Sequence, residues 1–71
     1  MSDIVDARGL SCPQPVLLAM AKMKSKASGE IEVIVDNQVS RENVSRAARS
    51  QGWEVRDEQR EGDDTHLMLT R

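Results

Sequence analysis

The sequence predicts a two-layer α/β sandwich, with two helices laid on one face of a sheet, and three observations predict it. First, the apolar period switches along the chain in the order strand, helix, strand, helix, strand, strand. Second, two right-handed crossovers in that order place both helices on the same side of the sheet. Third, the 71 residues hold one cysteine, one histidine, one tryptophan and no Phe or Tyr. Neither an internal disulfide nor a structural zinc site is available to so small a chain, so its core must be aliphatic.

Each element has its own signal. "DIVDA" (3–7) is a short β-branched run soon followed by Gly9, and reads as the first strand. From Pro13 the spacing becomes helical: Val16, Leu17, Met20, Met23 and Ala27 form the expected buried stripe. Pro15 is tolerated only in the first turn, so the helix is expected from Pro13 to about Lys26, ended by Ser28-Gly29. "EIEVIVD" (30–36) alternates, with Ile31, Val33 and Val35 on the buried face. "NQVSRENVSRAARSQG" (37–52) is a helix with Asn37 or Ser40 as N-cap, a narrow stripe of Val44, Ala47 and Ala48, a Glu42–Arg46 pair, and Gly52 beyond its end. "WEVRDEQR" (53–60) and "THLMLTR" (65–71) are strands joined by "EGDD" as a hairpin. The sheet face away from the helices is expected to be open, with Ile4, Ile34 and Met68 on it as a candidate partner or dimer surface.

Twelve acids against ten bases give a formal charge of −2, which argues against a general nucleic-acid binder. Lys22, Lys24 and Lys26 crowd one segment, and Asp57, Glu58, Glu61, Asp63 and Asp64 another; both read as solvated faces. The longest apolar run, Val16 to Ala21, is too short to span a membrane. No apolar run follows Met1-Ser2-Asp3, so no targeting peptide is expected, and a free thiol fits a reducing cytoplasm. The reading is of one domain, 1–71.

The stretch "GLSCPQPVLLAM" (9–20) carries the chemistry. If Pro13 opens the helix, Cys12 is the N-cap. The amides of positions 12 to 15 lack intrahelical acceptors, and two of them vanish because Pro13 and Pro15 have no N–H. The Gln14 amide is then left to donate to the Cys12 sulfur, at the positive end of the helix dipole. Such a position favours thiolate over thiol. Arg8 can add positive charge if the "ARGLS" turn folds back, with Asp6 either opposing it or holding it in place. Gly9 suggests a tight bend that lifts the loop above the sheet edge.

A lone cysteine excludes a dithiol cycle. His66 is the only imidazole, and in a strand it reads as structural rather than as a catalytic base. The chain is also too small to enclose its own substrate pocket. An exposed thiolate with neither base nor pocket suits a carrier that accepts a group from one protein and passes it to another.

The segment "DARGLSCPQP" (6–15) resembles the signature of the TusA/SirA/YedF-like sulfur-carrier family, with Asp6, Gly9, Cys12, Pro13 and Pro15 at the spacing Asp-x-x-Gly-x-x-Cys-Pro-x-Pro. The resemblance covers essentially the whole chain. "VDNQVSRENVSRAARSQGWEV" (35–55) is more similar to the YedF-like branch than to the tRNA-thiolation branch. What the resemblance implies is a sandwich like the C-terminal domain of translation initiation factor 3, with a mixed four-stranded sheet in order 1-2-4-3. It implies sulfur carried on Cys12 as a persulfide within the matched positions Asp6, Gly9, Pro13 and Pro15; the residue reading adds Gln14 and Arg8 as supports, and no cofactor or metal is expected. It also implies a cysteine desulfurase or rhodanese-type donor and a sulfur-relay acceptor, with a DsrE-like domain as one candidate. YedF-like proteins often have two domains, so the chain is read either as a free-standing carrier or as the N-terminal domain of a longer protein. The expected pathway is tRNA thiolation, cofactor sulfuration or selenium-related metabolism, and the expected state a monomer or weak dimer. The rival readings are a regulatory or redox-sensing module and, more weakly, an RNA-binding module suggested by fold analogy alone.

Overall fold

The computed structural model describes residues 3–10, 14–26 and 28–71. The elements follow the expected order: β1 (Asp3–Asp6), α1 (Gln14–Ser25), β2 (Glu30–Val35), α2 (Gln38–Ser50), β3 (Glu54–Glu61) and β4 (Asp64–Thr70). The four strands form one mixed sheet in order β1-β2-β4-β3, with β1 parallel to β2 and both other pairings antiparallel.

One sheet face makes the core. Val5, Val33 and Leu67 lie in register across three strands, as do Ile31, Leu69 and Val55 across β2, β4 and β3. Ala19 and Met23 of α1 and Val44 and Ala48 of α2 join the same buried cluster, so both helices cover this face. Ile31, Val33 and Val35 are fully buried, as their alternation requires. Trp53, the sole aromatic, is also in the core.

The caps of α2 use the residues the sequence offered. Asn37 is extended, and its Oδ1 accepts the Ser40 N–H at 2.8 Å. At the other end the Gly52 N–H bonds the Arg49 carbonyl and the Trp53 N–H the Ala48 carbonyl, a Schellman motif with Gly52 at φ +81°. Trp53 and Ala48 share the core cluster, so the stop signal also seats the aromatic. The β3–β4 hairpin closes in two residues, Gly62-Asp63. Positive φ occurs at Gly62 alone, the pattern of a type II′ turn.

Three expectations are corrected. In α1 the buried positions are Pro15, Ala19 and Met23, with Val16 and Met20 packed at their flank; Leu17 is 58% exposed. Spacing of four residues lets a proline and an alanine face the sheet, and it turns Leu17 some 200° away from Pro15 on a 100°-per-residue helix. Ala27, the last residue of the expected stripe, lies outside the described residues. Glu42 meets Gln38 at 3.2 Å and Arg41 at 3.9 Å rather than Arg46, and Arg41 also reaches Glu58 of β3 at 3.2 Å. On the outer face Ile34 is buried, although Ile4 is 62% exposed. Their neighbours in register are Asp6, Glu32, His66, Asp57 and Gln59, so this face is largely polar rather than an apolar docking surface.

Leu67→Ala, which empties a fully buried position in the central pair β2–β4, should lower the unfolding free energy by about 2–5 kcal/mol. Leu17→Ala should stay within about 0.5 kcal/mol of the parent. Urea denaturation followed by far-UV circular dichroism measures both.

Candidate functional site

β1 and β2 are parallel neighbours, and each leads directly toward a helix, so the starts of α1 and α2 share one end of the sheet. The segment from Asp6 to Leu10 leaves β1 at this end. It is tied to the sheet at three successive residues. The Ala7 N–H donates to the Ile34 carbonyl at 2.8 Å, continuing the β1–β2 ladder by one step. Arg8 folds back on Asp6, with Nη2 to Oδ2 at 2.7 Å and Nε to Oδ1 at 2.9 Å, while Nη1 reaches Oδ2 of Asp64 on β4 at 3.2 Å. The Gly9 N–H then donates to Oδ2 of Asp36, at the end of β2, at 2.7 Å.

Gly9 takes φ +77°, and a methyl group there would meet nothing within 4 Å. The requirement for glycine is thus conformational rather than steric. Beyond it, Leu10 packs against the core cluster and Pro15 is fully buried on the first turn of α1, with Gln14 exposed beside it. Ser11, Cys12 and Pro13, with the proposed capping contact between the Cys12 sulfur and the Gln14 amide, lie outside the described residues. Both chain ends that bracket them are therefore anchored: one through Arg8, Gly9 and Leu10, the other through Pro15.

At this end one guanidinium, that of Arg8, lies between two carboxylates, Asp6 and Asp64. The Arg8 guanidinium holds the Asp6 carboxyl down to about 2, first through the side-chain hydrogen bonds and then through the Arg8 backbone N–H, which also donates to Asp6 Oδ1. The two carboxylates push the Arg8 guanidinium further up, Asp6 more than Asp64. Arg8 is thus a clamp between β1 and β4 that spans the end of β2. Of the two roles the sequence left open for Asp6, the geometry shows that of holding Arg8 in place.

His66 stands elsewhere. It lies on the outer face of β4, where Nδ1 meets Glu32 Oε2 at 2.9 Å and Nε2 lies 3.5 Å from Glu61 Oε2. Among the described residues no cluster of His, Cys, Asp and Glu is arranged to hold a metal ion. No helix is long and apolar enough to cross a membrane among these residues. Asp36 was missed in the sequence. Its only local signal is a carboxylate at the end of a strong strand, and the contact that matters is with Gly9, 27 residues earlier. Leu17 is at the surface rather than in the expected buried stripe, for the reason given above, and with Leu18, Leu10 and Gln14 it lines a shallow apolar groove.

The family model described as sulfurtransferase TusA matches residues 3–71. The chain belongs to the TusA family. It is 30% identical over 66 residues to the sulfur carrier protein TusA of Allochromatium vinosum, an alignment covering 92% of this chain and 87% of that protein. The crystal structure of a SirA-like protein from Desulfitobacterium hafniense matches with a TM-score of 0.86 at 27% identity, covering 99% of this chain and 96% of the other. The mixed sheet in order 1-2-4-3 with two helices is thus the fold of the TusA family, as the resemblance implied.

The Asp6 carboxyl should titrate at about 2 by carbon-detected NMR, and Arg8→Ala should return it toward 3.8. Because the folded value is the lower one, the clamp's contribution to stability is complete above about 3.8 and is lost as the pH falls through about 2.

Proposed function

We propose that the protein is a sulfur carrier in which Cys12 accepts sulfur as a persulfide and relays it to a second protein. The observation that carries this reading is the anchoring of the loop from Asp6 to Leu10, which leads into Cys12 two residues before α1 begins at Gln14. The resemblance of the segment from Asp6 to Pro15 implies the Cys-Pro-x-Pro step at this juncture, where a sulfur would face the positive end of a 12-residue helix. Pro13 and Pro15 withhold two amides, leaving that of Gln14 to serve the anionic sulfur. Gly9 and Arg8 set the path of the chain leading to it, and Asp6 fixes Arg8.

The chemistry balances without an outside oxidant. The Cys12 thiolate attacks the terminal sulfur of a donor persulfide, the donor S–S bond breaks, and the donor cysteine leaves as a thiolate. Cys12 then holds the S–SH group, and the same exchange with an acceptor thiolate passes it on. The donor is a cysteine desulfurase or rhodanese-type protein. The sequence from Val35 to Val55 favours the YedF-like branch, with a DsrE-like domain as acceptor, in the cytoplasm. We read residues 1–71 as one carrier domain, either free-standing or the first of two. An RNA-binding role has little support: Trp53, the only aromatic, is buried and cannot stack on bases.

Incubation with a purified cysteine desulfurase and L-cysteine should add about 32 Da, one sulfur atom, to the intact protein, reversibly by dithiothreitol. Cys12→Ala should gain nothing. A wild-type chain that stays unmodified with several donors would contradict the carrier reading, and oxygen additions alone would favour an oxidant sensor.

A further inference from the structure

The two edges of the sheet are built differently. β3 is exposed almost throughout, carries charge at most positions and is kinked by a bulge between Val55 and Asp57. These features discourage pairing with another chain. β1, the other edge, has no such guard: its two carboxylates are tied up within the chain, Asp3 by Lys26 at 3.4 Å and Asp6 by Arg8. Among the described residues, half of its backbone groups are unused. Val5 is in register with Val33, and the Ala7 N–H bonds the Ile34 carbonyl, so Asp3, Val5 and Ala7 turn their N–H and C=O groups toward β2. Those of Ile4 and Asp6 point to the open edge.

Beside that edge runs a furrow between β1 and α1. One groove of about 430 Å³ is lined by Ile4, Val5, Leu18 and Ala21, together with Lys22, Ser25 and the Asp6 carboxylate that Arg8 holds. A second, of about 450 Å³, continues past Leu18 to Leu17, Leu10 and Gln14. Leu18 belongs to both, and it is 43% exposed. The furrow therefore leads from the tail of α1 to the two residues that flank the Cys12 segment in the chain. Lys22 has no ion-pair partner among the described residues, and α1 contains no acid.

We propose that the free edge of β1 receives an extended segment of the sulfur-donating partner, which adds as a fifth strand, sets apolar side chains against Leu18 and Ala21 and places a carboxylate at Lys22. This rests on the carrier reading above and says how a donor is brought to Cys12. Strand addition supplies main-chain hydrogen bonds, and alternate side chains in the furrow supply selectivity. Lys22 supplies the charge complementarity that selects an acidic, apolar segment. A second copy of this chain fits less well. Only Ile4 and Asp6 offer outward groups, so an antiparallel pair of β1 strands that uses both sets Ile4 opposite Asp6 twice, an apolar side chain against an acid, and brings no carboxylate of its own to Lys22.

The test measures the second-order rate of sulfur transfer from purified cysteine desulfurase with L-cysteine to Cys12, by intact mass. Ile4→Pro deletes an N–H that faces only the open edge, which an edge strand tolerates. Ile4→Thr keeps the N–H while losing the apolar side chain. Leu18→Glu puts like charge into the furrow from an exposed helix position and keeps the test valid should the proline disturb β1. Iodoacetamide alkylation of Cys12 and thermal melts accompany each variant. Ile4→Pro and Leu18→Glu should slow transfer about tenfold, Ile4→Thr less than about twofold, with alkylation unchanged. Transfer to both slow variants at the parental rate would overturn the proposal, and so would a dimer that Ile4→Pro dissociates. A wild-type chain that is alkylated but accepts no sulfur overturns the carrier reading itself, and this inference with it.

Discussion

The bond from the Gly9 N–H to the Asp36 carboxylate, 2.7 Å long and 27 residues apart in sequence, is the constraint on which the site depends. It joins the loop after β1 to the end of β2, just where Asn37 begins to cap α2. The same carboxylate accepts the Asn37 side-chain amide at 3.1 Å on its other oxygen, so one residue ties the Cys12 loop to the start of the second helix. A glycine is needed because the loop turns there with positive φ, and a charged acceptor makes the bond stronger than a neutral one. Around it, Ala7 continues the strand ladder and Arg8 links Asp6 to Asp64. The loop is thus stitched to β2 and β4 before it reaches the cysteine.

What the fold contributes to function is placement. A 71-residue chain with an aliphatic core has little surface to spare for an enclosed pocket, and its one imidazole is engaged by two glutamates on the outer face. Anchoring the chain on both sides of the Cys12 segment suits a carrier better than enclosure, since both donor and acceptor must reach the same sulfur. The core supports this by burying Pro15 and Ala19, which brings α1 down onto the sheet and leaves Leu17 and Leu18 outward beside the site. The edges of the sheet divide the labour: β3 is charged and bulged, whereas β1 lies next to an apolar furrow.

Much of this was legible in the sequence because the governing signals are local. The alternation at 30–36, the Asn37 cap, Gly52 beyond α2 and the Gly62 turn each work within a few residues, and each appears in the structure where expected. The motif from Asp6 to Pro15 was likewise visible, and with it the TusA family. The misreadings concern relations that local spacing does not encode. Leu17 looked buried because it falls at helical spacing with Met20, yet packing chose the smaller Ala19, which allows close approach of the helix. Asp36 looked like a strand-end residue because its partner, Gly9, lies on the loop after another strand. The reach of Arg8 to Asp64 was likewise hidden, since it depends on β4 lying next to β2.

The central claim is that this anchored loop and the start of α1 hold the Cys12 sulfur as an anion. The most direct measurement is the pH dependence of Cys12 alkylation by iodoacetamide, followed by intact mass on the reduced protein. An apparent pKa clearly below the ordinary thiol value of about 8.5 is the predicted result. A value at or above about 8.5 would contradict it, because a cysteine that is mostly protonated at neutral pH is not the activated sulfur described here.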